Sequence, residues 1–230
     1  MKAFLTASAI PGIWAIAAIE LVLSVIMFIS FRKNKSKVIL LGALITIGLF
    51  IDAFLIGLGA FVDIEAIRGI SRIRFISHGI LIPLLFAICA LALNFKKPWS
   101  TIVFVFTALV MVAGLAESLA TVLDVTEIAG ISRMAAVKEL TPAWATGITN
   151  ALNFGTVIPL MIVGIIAWVK YKTPTLFLGG FLMFAFSALG PASGNKEFIF
   201  YISMFGEVLM VLFIYFFGLI KYKKDSLNAK

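Results

Sequence analysis

Seven long apolar runs, separated by short polar connectors, divide the 230 residues of the chain. A run of about 20 apolar residues spans the roughly 30 Å hydrocarbon core of a bilayer at 1.5 Å per residue. The pattern therefore predicts an all-α integral membrane protein whose single domain is a bundle of seven transmembrane helices. We expect these helices at about residues 10–31, 38–62, 74–95, 101–124, 146–169, 175–194 and 197–220.

The composition agrees with a chain that lies in lipid. Hydrophobic residues make up 62% of the sequence and charged residues only 13%, whereas soluble domains carry about 25% charged residues. The net charge of +8 does not indicate nucleic-acid binding, because the basic residues lie between the apolar runs and form no separate domain. With one cysteine and one histidine the common zinc patterns are excluded. No nucleotide-binding motif is present, and we expect neither a metal nor a cofactor.

The basic residues also predict an orientation. Lys and Arg are more frequent after the first, third and fifth helices and in the C-terminal tail than in the other connectors. Cytoplasmic loops carry this excess, so the N-terminus is expected outside and the C-terminus in the cytoplasm. Short basic loops are typical of a multi-pass protein of a prokaryotic cell (plasma) membrane.

Two outer connectors resemble each other. Residues 63–72 and 124–133 are identical at six of ten positions, and each connector leads to an Ile-Pro-Leu segment, at 82–84 and 158–160. This indicates a hairpin repeat of residues 38–95 and 101–169, although two surface turns could also have converged. Pro83 and Pro159 each remove a backbone donor and are expected to kink their helices.

Ionisable side chains inside the apolar runs are the candidates for function. Each costs about 2.5–3.5 kcal/mol to insert, so such residues usually face a cavity or a partner. Their positions run from the outer ends of the helices to the middle, which predicts a polar, water-accessible cavity that opens outward. Alternatively, each acid is a neutral, hydrogen-bonded packing residue. The candidates are Glu20, Asp52, His78, Glu117 and Glu207.

Neutral polar residues extend this expected cavity. Ser77 precedes His78, and with Arg74 these residues share one side of the third helix. Asn150 and Asn153 lie in the outer third of the fifth helix. Arg74 itself is expected to extend to the membrane interface.

The third helix begins with Arg74-Phe75 and continues to Pro83-Leu84-Leu85, and Glu207 supplies an acid near the middle of the last helix. This spacing resembles that of the third helix of microbial rhodopsins, in which Arg-Tyr is followed by Pro-Leu-Leu. The last helix contains no internal lysine to hold retinal, and Ser77 and His78 stand where the family has its counter-ion and a tryptophan. The resemblance therefore implies a retinal-free relative.

Three functions fit these features. The leading hypothesis is a transporter or permease for a small solute or ion, in which Glu20, Asp52 and Glu207 bind a cation or proton. The second is a seven-helix ligand-binding sensor, for which a retinal-free relative of rhodopsins is one form. The third is an intramembrane enzyme acting on lipid-linked substrates, with His78 and Glu117 as acid and base. The expected partners are the lipid bilayer and a small solute or ion. The sequence does not decide whether the protein forms a homo-oligomer.

Overall fold

The computed structural model describes the backbone of residues 2–193 and 196–228 and the side chains of residues 7–189 and 202–227. The chain is 81% helical, in agreement with the all-α class. The helices are α1 (Lys2–Asn34), α2 (Lys37–Leu58), α3 (Ile64–Leu81), α4 (Leu84–Leu93), α5 (Trp99–Ala120), α6 (Ala143–Gly155), α7 (Val157–Tyr171), α8 (Thr175–Ser193) and α9 (Lys196–Asn228). Two strands, β1 (Leu123–Ile128) and β2 (Ile131–Ala136), pair between α5 and α6.

Six helical stretches of the described residues are long and apolar enough to cross a membrane. The helix over Thr175–Leu189 is apolar but shorter. These lengths and compositions identify a multi-pass membrane protein. The six stretches are Ala7–Asn34, Lys37–Leu58, Ile64–Leu93, Trp99–Ala120, Ala143–Tyr171 and Ile202–Leu227.

Two of these stretches are interrupted near their prolines. The stretch Ile64–Leu93 breaks between Leu81 and Leu84, around Pro83. The stretch Ala143–Tyr171 breaks at Thr156, three residues before Pro159. Proline lacks the N–H that would bond to the carbonyl four residues earlier, so the regular helix stops there. α3 with α4, and α6 with α7, thus form two interrupted rods, as the prolines predicted.

The third helix begins at Ile64 and not at Arg74 as the apolar pattern suggested. Asp63 caps it, because its carboxylate accepts a hydrogen bond from the backbone N–H of Glu65 at 3.1 Å. Glu65 in the first turn also complements the helix dipole. The supposed connector is therefore the polar first part of α3.

The fourth predicted helix, which is α5, ends at Ala120 instead of Asp124, since a β-hairpin follows. β1 and β2 are antiparallel, with Ile128 opposite Ile131. Ala129 and Gly130 between them both have positive φ, 53° and 76°, as the two-residue turn of a twisted hairpin requires. The apolar pattern did not predict this hairpin.

Because of the hairpin, the two connectors that are similar in sequence differ in secondary structure. Residues 64–72 are helical, whereas residues 124–128 and 131–133 form strands. Six shared residues therefore adopt two different local structures, and the repeat stays a hypothesis.

The other helix bounds differ from the expected ones mainly by extension. α1 reaches from Lys2 to Asn34, α6 begins at Ala143, and α9 continues to Asn228, while α2 stops at Leu58. Apolar runs mark the part of a helix that lies in lipid, and a helix can continue into polar residues beyond it. The sixth predicted helix is α8, and its expected end at Gly194 lies outside the described residues.

If α3–α4 and α6–α7 are each counted as one rod, the rods that follow each other along the chain pack side by side, and α9 packs against α1 and α2. The buried apolar residues form two clusters. The large core lies among α1, α2, α4, α7 and α9 and includes Leu85 and Phe217. The hairpin core lies among α1, α2, α9 and the strands and includes Ile13 and Ile131.

Candidate functional site

Three acids lie near the boundary between the two apolar cores, and we call them the polar layer: Glu20, Asp52 and Glu207. On α1 and α2 the acid has residues of the large core on one side and of the hairpin core on the other, whereas on α9 hairpin-core residues stand on both sides of Glu207 and the large core begins at Met210. Glu20 has no exposed surface and Asp52 is 9% exposed. Three acids that the sequence predicted as site residues are thus at one level of the bundle.

Asp52 is paired with Arg74 of α3. Arg74 Nε donates to Asp52 Oδ1 at 2.8 Å, and Arg74 Nη1 donates to the carbonyl of Met134 in β2 at 3.2 Å. The side chains of the pair are only 13% and 9% exposed. The expectation that Arg74 extends to the membrane interface is therefore wrong, because a carboxylate and a strand carbonyl hold it inside the protein.

His78 lies one turn after Arg74 and faces Glu207. Its Nε2 is 3.6 Å from Glu207 Oε1, which is an electrostatic contact and longer than an ordinary hydrogen bond. The side chain of His78 is 35% exposed, whereas that of Glu207 is 14% exposed. His78 therefore links Glu207, which is only partly exposed, to a more accessible position.

Glu20 is the unusual member of the polar layer. Neither of its carboxyl oxygens forms a hydrogen bond with a described residue. It interacts electrostatically with Glu207 and with Asp52. A buried polar group without a partner is costly, and an ionised one far more so, so this carboxyl group needs a functional explanation.

Glu117 forms a second polar cluster, between α5 and α6. The hydroxyls of Thr149 and Thr121 lie 2.6 and 2.9 Å from Glu117 Oε1, and that of Ser118 lies 3.2 Å from Oε2. Thr149 was missed by the sequence analysis, since threonine in an apolar helix often bonds only to its own backbone. The carboxyl group of Glu117 is therefore held by hydroxyls from two helices.

A cavity of about 160 Å³ lies beside the Glu117 cluster and reaches His78. Three predicted site residues, His78, Glu117 and Asn153, line it together with Thr149, and Phe75, Gly79, Ile82 and Leu152 complete its wall. His78 thus contacts the cavity while it also contacts Glu207 of the polar layer.

Two other predicted residues take no part in these contacts. The hydroxyl of Ser77 is buried and lies 2.9 Å from the carbonyl of Arg74 in its own helix. Asn150 is exposed, and it is not part of the wall of the cavity that Asn153 lines.

The β-hairpin adds a second arginine to the polar layer. Arg133 of β2 interacts electrostatically with Asp52 and with Arg74. Burial, and then the charge of Arg74, lower the pKa of Arg133 to about 10, so it remains charged at neutral pH. The sequence analysis assigned Arg133 to a surface connector and did not connect it with the acids.

Within the part of the chain that the structure describes, no three side chains of His, Cys, Asp or Glu are grouped so that they could hold a metal ion. The carboxyl groups, the imidazole and the hydroxyls of these clusters are groups that can accept or donate a proton. No protein-family model matches the chain, and a search of curated proteins finds no match either.

Proposed function

We propose that this protein is a transporter for a small solute or ion, and that the polar layer is its proton- or cation-binding site. One observation carries the proposal: the carboxyl group of Glu20 is fully buried near Glu207 and Asp52, and it has no hydrogen-bond partner among the described residues. Ionisable residues inside a membrane protein generally mark ion pathways or proton relays.

The charges around Glu20 favour a neutral acid at this position. Arg74 compensates Asp52, and His78 lies close to Glu207. Glu20 has no such partner, and an isolated carboxylate would cost several kcal/mol at this depth. A proton on Glu20, or a cation that replaces it, would remove that cost, which is what a coupling site requires.

The cavity offers a route to this site. With about 160 Å³ it has room for a few water molecules, and it touches His78. Histidine exchanges protons near neutral pH. We infer that protons pass from the cavity to His78, then to Glu207, and from there to Glu20.

The same volume argues against the intramembrane enzyme. His78 and Glu117 do line one cavity, as an acid–base pair would need. Ligand pockets usually measure about 300–1,000 Å³, so a lipid-linked substrate would not fit into this space. Water or a small ion is the occupant that the size favours.

We further propose seven transmembrane helices, with α8 as the shorter one, in the cell membrane. The excess of basic residues in alternate connectors supports an outer N-terminus and a cytoplasmic C-terminus. In this orientation the hairpin and the cavity belong to the outer half of the bundle.

Two measurements on Glu20→Gln test the proposal. Infrared spectroscopy of the purified protein should contain a protonated carboxyl band that the variant lacks. In proteoliposomes filled with a pH-sensitive dye, a potential imposed with potassium and valinomycin should drive proton uptake by the wild type, and the variant should fall to the rate of empty liposomes.

Glu65→Gln is the matched control, because Glu65 is an exposed acid at the start of α3. It should leave both signals unchanged. The proposal fails if Glu20→Gln keeps the carboxyl band, or if wild-type and variant proteoliposomes take up protons equally fast.

A further inference from the structure

A basic pocket lies at the end of the bundle opposite the β-hairpin, where α1 ends and α2 begins, about four helical turns from the acids of the polar layer. It measures about 350 Å³ and is formed where the connector between α1 and α2 meets the end of α9 and the end of α4. Three lysines, Lys35, Lys37 and Lys221, line it against a single carboxylate, that of Asp225. Its walls therefore carry a net positive charge.

Lys221 is built into the wall of this pocket. Its side chain is 10% exposed, and its ammonium group donates to Asn94 Oδ1 at 2.6 Å and to the carboxylate of Asp225. The amide of Asn94 in turn donates to the hydroxyl of Tyr171 at 3.1 Å. Contacts from α4, α7 and α9 thus fix this cation in place.

The connector between α1 and α2 forms another part of the pocket wall. Lys35 adopts a positive φ of 55°, and Asn34 Oδ1 accepts a hydrogen bond from the N–H of Ser36 at 2.9 Å. The side chain of Ser36 does not cap α2, so backbone N–H groups of the first turn of α2 remain available beside the pocket. These groups and the positive end of the helix dipole favour an anion.

We propose that this pocket binds a phosphate group, and that its occupant is the headgroup of an anionic phospholipid. Basic pockets between transmembrane helices at the cytoplasmic surface suit lipid phosphates, and the positive-inside rule assigns this end of the bundle to the cytoplasm. The site does not depend on the proposed transport function. Asp225 is the internal competitor, because its carboxylate contacts the ammonium group of Lys221 that an anion would bind.

The experiment measures binding to the full-length protein in a zwitterionic detergent. The probes are dioctanoyl phosphatidic acid, dioctanoyl phosphatidylcholine and inorganic phosphate, each titrated by calorimetry. We expect phosphatidic acid to bind and phosphatidylcholine to give no heat above the blank. Binding of inorganic phosphate with equal affinity would identify a free phosphate as the occupant and overturn the lipid assignment.

Matched variants locate the site. Changing Lys35 and Lys37 together to Gln should weaken the binding of phosphatidic acid about thirtyfold. Both lysines are exposed, so these changes leave the folded bundle intact. Lys96 and Lys97, changed together to Gln, remove the same charge from a neighbouring connector, and their affinity should remain that of the wild type.

Asp225→Asn separates a built site from general surface attraction, because it should strengthen the binding of phosphatidic acid by releasing Lys221. The proposal is overturned if both lysine pairs weaken binding equally, if Asp225→Asn has no effect, or if phosphatidic acid binds no better than phosphatidylcholine.

Discussion

Asp52→Asn tests the buried ion pair between α2 and α3. The substitution keeps the shape of the side chain and removes its charge. Arg74 then remains 9% exposed, with the Met134 carbonyl and a neutral amide as its partners. We expect a large loss of stability, because a buried cation would have lost its compensating charge.

The size of the loss follows from the geometry. The paired atoms are 2.8 Å apart, and charge centres about 4 Å apart attract each other by about 4 kcal/mol at an effective dielectric constant of about 20. Removing one member of a buried pair costs about 3–5 kcal/mol. Because the Asn amide oxygen can still accept a hydrogen bond, we expect a loss of about 3 kcal/mol.

The single cysteine provides the assay. Cys89 in α4 is buried, so a maleimide dye reacts with it when the protein opens. When opening and closing are fast, the labelling rate follows the population of open protein. A loss of about 3 kcal/mol should therefore accelerate labelling by about two orders of magnitude.

Two comparisons make this prediction specific. Adding Arg74→Met to Asp52→Asn should recover most of the loss, since the uncompensated charge is gone. The exposed pair of Glu65 and Arg68 is the control, and Glu65→Gln should cost less than about 1 kcal/mol. If Asp52→Asn labels at the wild-type rate, or if Arg74→Met brings no recovery, the pair does not hold α2 against α3.

Two glycine positions provide further predictions. Gly79→Ala would bring a Cβ 2.4 Å from the carbonyl oxygen of Gly114, so it should cost about 1–3 kcal/mol in the thiol-labelling assay. Gly69→Ala meets open space and should be neutral or stabilising by up to about 1 kcal/mol; equal rates would contradict the close crossing of α3 and α5. Gly59→Ala would bring a Cβ 1.8 Å from the carbonyl oxygen of Ser132, so backbone amides of both strands should exchange hydrogen faster than in Gly69→Ala. Unchanged exchange would show that the hairpin does not dock on the end of α2.

Hydropathy predicts the membrane-crossing parts of the fold because lipid imposes one simple requirement on a helix. It does not predict where a helix starts or ends outside the lipid. The cap formed by Asp63 and the turn at Ala129-Gly130 decide those ends, and both signals are in the sequence. The six identities between residues 63–72 and 124–133 do not distinguish a capped helix from a hairpin, because the cap and the turn depend on single residues of each segment.

The side-chain partners in the site were harder to predict. Asp52 and Arg74 are on different helices, and their contact depends on how α2 and α3 are rotated about their axes. Apolar runs do not specify this rotation, because lipid and protein interior accept the same residues. The sequence therefore predicted that ionisable residues would be buried, but it did not predict that Arg74 would be among them or that Thr149 would bond to Glu117.

The hairpin explains why the polar layer can stay buried near one end of the bundle. Ile131 is fully buried in the hairpin core, and the N–H of Ser132 donates to the carbonyl of Gly59 at 3.2 Å. Arg74 then contacts Asp52 and the strand at once, so the ion pair and the hairpin stabilise each other. Since this core separates the acids from that end, we infer that a proton or cation approaches from the side, through His78 and its cavity.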